Sequence, residues 1–389
     1  MSRLQAEHLY KVFGKGPDDA VRRLEAGADR DELRADGTTA AVIDASFTVE
    51  PGQIFVVMGL SGSGKSTLLR MLNGLLEPTA GQVLFDGQDL TALSPRDLRA
   101  VRSHKISMVF QHFALFPHRS VLDNAAYGLE VQGVARAERR ERALEALELA
   151  GLKGWEDSWP DELSGGMQQR VGLARALATD ADLLLMDESF SALDPLIRRD
   201  MQDQLLHLQT KLKKTIVFIT HDLNEAMRLG DRIAVMRDGR IVQTGSAEDI
   251  LVRPANDYVA SFIQDVDRSR VLTAKAVMSA PEPGAQECDC ASVTEDTPLS
   301  EVCAVGARLT HPVNVVGARG DVVGVVPQGR LMSFIGDGGA APAARPEPAD
   351  GPLARARAAV ARAKATATGS TAQAARTADE KNGKVAARA

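Results

Sequence analysis

Residues 163–170 read Leu-Ser-Gly-Gly-Met-Gln-Gln-Arg, and they stand between two other elements that belong together. About a hundred residues earlier, the apolar run Ile54-Phe-Val-Val-Met58 leads straight into Gly59-Leu-Ser-Gly-Ser-Gly64-Lys65-Ser66-Thr67. Seventeen residues after Arg170, the run Leu183-Leu-Leu-Met186 ends in Asp187-Glu188. A short, wholly apolar run is the mark of a strand buried on both faces. Ligands of such sheets sit beyond the carboxyl ends of the strands, where both polar groups fall. The two outer elements are the halves of a phosphate site. The Ser-Gly-Gly element between them is an additional helix start with an anion-binding character: a hydroxyl plus unobstructed backbone N–H groups. Gln168, Gln169 and Arg170 run on into Val-Gly-Leu-Ala-Arg-Ala-Leu-Ala, which predicts a helix.

The first element works through its backbone. Gly62 and Gly64 let main-chain N–H groups approach phosphate oxygens that a β-carbon would block. Gly59, Ser61, Ser63 and Thr67 complete the loop, and the helix beginning near Lys65 aims its positive end at the same oxygens. Lys65 brings a formal charge to the β- and γ-phosphates, and Ser66 offers a hydroxyl to Mg²⁺. ATP with Mg²⁺ is the expected cofactor pair. At the end of the second strand, Asp187 is placed to hold the metal and Glu188 to polarise an attacking water. His221 follows Phe218-Ile-Thr220, again at a strand end, where a neutral imidazole can hydrogen-bond a γ-phosphate.

Composition sets the frame. The 389 residues exceed one average domain, and 44% hydrophobic with 25% charged residues describe a globular chain. A net charge of −6 gives no reason to expect a nucleic-acid partner. No stretch approaches 18 consecutive apolar residues, and the first residues contain no apolar signal core, which predicts a cytoplasmic, non-spanning chain. Cys288, Cys290 and Cys303 are too few for a disulfide framework and read as free thiols.

From Met1 to about Asp265 the pattern alternates strands and helices, as parallel α/β units should. Helices are predicted over Ser66–Leu76 and Glu138–Leu152, and buried strands over Thr215–Ile219 and Ile233–Met236. Residues 15–40 form a charged insertion. The pattern weakens from Leu272 to Phe334, and residues 336–389 are Ala, Pro, Gly and Arg-rich, which predicts a disordered tail. Its basic stretch Pro352–Lys364 reads as a solvated segment rather than a membrane-surface helix.

The order of the three elements resembles the ATP-binding cassette family, which implies a P-loop NTPase-like α/β core with an inserted helical subdomain over about 96–175. On that resemblance, Gln111 matches the glutamine loop that reaches Mg²⁺ or water. His221 matches the switch histidine, and Ser191-Ala-Leu-Asp194 matches the loop that contacts the opposite subunit's site. Ser164, Gly165 and Gly166 would cover the γ-phosphate held by a second copy. Phe13 matches the aromatic that stacks on adenine, with Tyr10 as the reserve. Longer strings sharpen the resemblance to importer ATPases for glycine betaine and proline: residues 52–78, 113–118, 190–198 and 254–259, and the insertion between Phe13 and Val42. The implied assembly is a homodimer on a membrane permease at the cytoplasmic face, fed by an extracytoplasmic solute-binding protein. Segments near Val277, Val293–Leu299, Pro312–Val316 and Gly320–Val326 resemble one copy of a cystathionine-β-synthase-type (CBS) regulatory domain over 272–335, after a cassette over 1–270. An importer ATPase for another amino acid or ion remains open, as does a soluble cassette ATPase of translation or DNA repair.

Overall fold

The computed structural model describes residues 2–336, apart from residues 112, 265 and 281–290. Cys288, Cys290 and the basic tail lie outside the described residues. The strands are β1 (Leu4–Phe13), β2 (Thr39–Val49), β3 (Ile54–Met58), β4 (Ala80–Phe85), β5 (Gln88–Asp89), β6 (Ile106–Val109), β7 (Leu183–Asp187), β8 (Thr215–Thr220), β9 (Arg232–Arg237), β10 (Arg240–Gly245), β11 (Ser292–Thr294), β12 (Val313–Val316) and β13 (Val322–Val326).

The central sheet runs β10-β9-β3-β8-β7-β6, parallel except for β10. Its apolar runs are buried on both faces because successive residues point to opposite sides. Phe55, Val57, Leu183, Leu185, Val217 and Ile219 join Leu68, Leu69 and Leu72 of the helix Lys65–Leu72 in one cluster. Ile54, Val56, Met58, Leu184, Met186, Ile216 and Phe218 join Met201, Leu205 and Leu208 of the helix Pro195–Leu212 in another. The sheet thereby fixes the carboxyl ends of β3, β7 and β8 side by side, and these ends carry the phosphate loop, Asp187 and His221.

The expectation of parallel pairing throughout the first 265 residues does not hold. A second sheet, β2-β1-β4-β5, is antiparallel throughout and packs over the helix Lys65–Leu72, with Phe47 and Phe55 stacked at 4.7 Å between ring centroids. The pairing of β1 with β2 was hidden by the insertion between them. That insertion folds into the helices Pro17–Glu25 and Arg30–Ala35, which bury Val21, Leu24 and Leu33 against Tyr10, Val12, Ala40 and Ile43.

Three boundaries also shift. The helix predicted over Ser66–Leu76 stops at Leu72, since Gly74 takes a left-handed φ of 65° just beyond it. The helix predicted over Glu138–Leu152 runs from Arg136 to Leu149, with Gly151 at φ 71° ending it in the same way. The inserted helical layer has its own core, made by Val121–Val131, Arg136–Leu149 and Gly165–Ala178. The helix Pro95–His104 packs Leu98 and Val101 against the antiparallel-sheet side instead, so the helical core begins at Val121 rather than near residue 96.

After β10, short helices lead into β11, the helix Leu299–Gly306, β12, β13 and the helix Gln328–Gly336. β11 and β12 are parallel, and β12 and β13 antiparallel. Val259, Ile263, Val266, Leu272, Leu299 and Val302 share one apolar cluster with the central sheet, so this segment is not a bead on a string. Among the described residues, no helix is long and apolar enough to cross a membrane.

Candidate nucleotide site

The phosphate loop has glycine where the backbone leaves no room for anything else. A β-carbon at Gly64, φ 102°, would meet the Ala41 carbonyl oxygen at 2.2 Å, and one at Gly59 would meet that of Met236 at 2.3 Å. Gly62 differs: its φ of 79° favours glycine, yet the space beside it is open. Leu60, Ser61 and Gly62 form the exposed rim, whereas Ser63 and Lys65 are buried. The Lys65 Nζ donates to the carbonyls of Gly59 at 2.8 Å and Leu60 at 3.1 Å, and lies 3.9 Å from Glu188 Oε1. Burial pushes its pKa down, with Glu188 and Asp187 acting the other way. The Ser63 hydroxyl is buried without a partner among the described residues, an orphan that suits an incoming phosphate oxygen.

At the end of β7, Asp187 Oδ1 accepts from the Ser66 hydroxyl at 3.0 Å, joining positions 121 residues apart. Burial pushes the Asp187 carboxyl above its ordinary range; the Ser66 hydrogen bond opposes this, and the Glu188 charge reinforces it. Glu188 takes a left-handed φ of 44°, a conformation that costs a non-glycine residue on the order of 1 kcal/mol and clusters at functional sites. Its backbone N–H donates to the Ile219 carbonyl at 3.0 Å, which ties the strained residue to β8. Its carboxylate then faces three elements at once. Oε2 lies 3.1 Å from His221 Nδ1 and 3.5 Å from Gln111 Nε2, while Oε1 faces Lys65. Gln111 follows β6, and its Nε2 also reaches the Ser191 hydroxyl at 3.4 Å. Lys65, Ser66, Gln111, Asp187, Glu188 and His221, separated widely in sequence, therefore form one connected group. Thr67, in the first turn of the loop's helix, makes no side-chain hydrogen bond among the described residues.

Two positioning features were not visible in the sequence. The Ser191 hydroxyl donates to the Glu188 carbonyl at 2.7 Å, closing a tight turn behind the carboxylate. Arg198 spans that turn: it donates to the carbonyls of Phe190, Ser191 and Leu193 at 3.0–3.2 Å and to Asp222 Oδ2 at 3.1 Å, next to His221. The only signal was its place four residues beyond Asp194 in the same helix. Asp194 itself caps that helix, accepting from the N–H groups of Leu196 and Ile197 at 3.2 and 3.1 Å.

Ser164, Gly165 and Gly166 stand apart from this group. Ser164 caps the helix Gly165–Ala178, accepting from the Met167 N–H at 3.4 Å, and is exposed. Gly166 is glycine for packing, since a β-carbon there would meet Ile197 Cγ2 at 2.6 Å. Farther along the helix, Arg175 donates to the carbonyls of Ala114 and Phe113 at 2.6 and 3.1 Å, tying this helix to the segment after Gln111. Among the described residues, no hydrogen bond or ion pair joins Ser164 to the phosphate loop. The two aromatic candidates also separate: Phe13 ends β1 with 43% of its surface exposed, whereas Tyr10 is buried in the insertion's core and offers no face for stacking.

The ABC transporter family model matches residues 42–191, the stretch from β2 to the turn after Glu188. A Listeria monocytogenes glycine betaine/carnitine transport ATP-binding protein is 54% identical over 336 residues, covering 86% of this chain and 83% of its own length. This chain belongs to the ABC transporter family. The cassette is an ATPase, as the family's ATP-binding subunits are. A glycine betaine transport ATP-binding protein of Bacillus subtilis is 59% identical over 281 residues, 72% of this chain and 67% of that protein. Among solved structures, a dimeric bacterial ABC transporter cassette overlays with a TM-score of 0.53 at 32% identity, covering 63% of this chain and 98% of that one.

Proposed function

We propose that this chain is the ATP-hydrolysing subunit of an importer for glycine betaine- and proline-type compatible solutes, working as a homodimer beneath a membrane permease at the cytoplasmic face, with an extracytoplasmic binding protein delivering the solute. The observation that carries the hydrolytic part is the single contact group of Lys65, Gln111, Asp187, Glu188 and His221. The solute class is carried by the identity to betaine transport proteins along both the cassette and, in the Listeria relative, the segment beyond it.

Phe13 is the exposed aromatic for adenine, and Gly59–Thr67 wraps the phosphates with Lys65 as the point charge. A Mg²⁺ ion fits the residues present. Ser66 and Asp187 already touch, Gln111 reaches the neighbouring Glu188, and a carboxyl whose burial resists ionisation gains from a cation beside it. Among the described residues no cluster of three His, Cys, Asp or Glu side chains forms a metal site of its own, so the ion would share its ligands with the nucleotide. When bound, it neutralises charge on the phosphates. Glu188 accepts the proton of the attacking water, and His221, held against Glu188 Oε2, reports on the γ-phosphate. Ser164, Gly165 and Gly166 lie outside this group, which supports a role on the nucleotide of a second copy, with Asp194 near the same junction.

The segment 272–335 follows a β-α-β-β-α order that supports a single CBS-type unit behind a cassette over 1–270. Disrupting the gene in its host tests the solute class. Uptake of radiolabelled glycine betaine should be lost, along with the growth that betaine restores in high salt. Retained betaine uptake with lost uptake of another amino acid or ion would contradict it.

A further inference from the structure

The insertion between β1 and β2 does more than cover a sheet edge. Its second helix, Arg30–Ala35, faces a cavity of about 580 Å³ whose walls include Arg30, Arg34, Thr39, Ala40, Gly62 and Asp238. Gly62 belongs to the rim of the phosphate loop, and the space beside its missing β-carbon is open to at least 4 Å. At the other side, Thr39 is the register partner of Phe13 across β1 and β2. The cavity thus runs from the phosphate loop to the start of β2, one strand away from the exposed aromatic. The insertion is also braced to the loop. Arg30 pairs with Asp238 at 3.2 Å in the β9–β10 turn, and the next residue of that turn, Gly239, donates its N–H to the Ser63 carbonyl at 3.0 Å.

The charges in this cavity are not equivalent. Asp29 caps the helix, accepting from the Asp31 N–H, and Arg30 pairs with Asp238. The exposed Asp31 carboxylate also lines the cavity, without a side-chain hydrogen bond or ion pair among the described residues. Arg34 is exposed and makes no side-chain hydrogen bond or ion pair among the described residues. Between a base on Phe13 and phosphates over Gly62 lie the ribose and the α-phosphate, and a guanidinium is the side chain suited to that anion. We propose that the insertion is a wall of the nucleotide pocket and that Arg34 contacts the ribose and α-phosphate of the bound nucleotide. The proposal rests on the nucleotide reading of Phe13 and the phosphate loop.

Equilibrium binding of fluorescent ATP and ADP to the full chain tests it. Loss of one charge-assisted contact in Arg34→Ala should weaken both nucleotides by the same factor, roughly five- to thirtyfold, because the contact lies ahead of the β-phosphate. Arg34→Lys should fall between, since it keeps the charge without the planar fork. Arg34→Gln, with the melting temperature of the nucleotide-free chain unchanged, guards against a folding defect and should match Arg34→Ala. Unchanged affinity in Arg34→Ala and Arg34→Gln, or a loss confined to ATP, overturns the proposal. Lys65→Ala runs alongside. If it abolishes binding while the Arg34 variants bind normally, only the insertion's role fails; if it binds normally, the nucleotide reading itself fails.

Discussion

The two helix starts that the sequence marks as candidate anion sites are built alike and live differently. Both begin with small residues ahead of a helix, yet the one at Lys65 is embedded in a contact group reaching β6, β7 and β8, whereas the Ser164 side chain, among the described residues, accepts only from the Met167 N–H of its own helix. Packing around them differs in the same direction. Lys65 is buried and its charge is resisted by that burial, with Glu188 and Asp187 acting the other way. Ser164 is exposed, on a helix whose core lies in the inserted layer. The comparison teaches that the first half of the site is completed by the sheet, while the second is presented outward. A proposed second copy supplies what it faces.

The largest effect should come from the assembled half. Glu188→Gln keeps shape and hydrogen-bond reach but removes the base; steady-state hydrolysis should fall on the order of 100-fold or more, and the variant should accumulate as a nucleotide-bound dimer in size-exclusion chromatography. Near-normal turnover would remove Glu188 from its role. Arg198→Ala comes next. Freeing the turn from Phe190 to Leu193 and the segment around Asp222 should lower kcat by roughly tenfold to a hundredfold through misplacement, with KM for ATP little changed. A KM effect alone would show that Arg198 acts on binding instead.

The smallest effect is on stability. Because the Asp187 carboxyl is pushed up by burial, the fold holds its proton more tightly than the unfolded chain does. Stability therefore falls as pH rises from the ordinary carboxylate range through the raised value, and the penalty is fully present above it. Asp187→Asn should raise the melting temperature of the nucleotide-free chain at neutral pH, by on the order of 1–2 °C. The difference should vanish below the ordinary carboxylate range. A lower melting temperature at neutral pH would mean that the Ser66 and Lys65 contacts outweigh burial.

The assembled half was largely legible in the sequence because its chemistry is local. Glycines at Gly59 and Gly64, an apolar run before them and an acidic pair after Met186 each announce a strand end without knowledge of the fold. The antiparallel sheet was not legible, since β1 and β2 pair across an insertion whose charged surface hides Val21, Leu24 and Leu33. Arg198 was equally hidden: three of its four acceptors are backbone carbonyls, and no residue type marks a carbonyl. The choice between Phe13 and Tyr10 needed burial, because two aromatics three residues apart in one strand look alike until a core covers one of them.

The shared site is tested most directly by mixing two inactive chains. Lys65→Ala lacks the phosphate charge, and Ser164→Arg blocks the outward helix start; each should hydrolyse ATP at background rates alone. Combined, they should regain part of the wild-type activity. One composite site then takes Lys65 from the Ser164→Arg chain and Ser164 from the Lys65→Ala chain. Full activity of a demonstrated wild-type monomer, independent of protein concentration, would contradict the account.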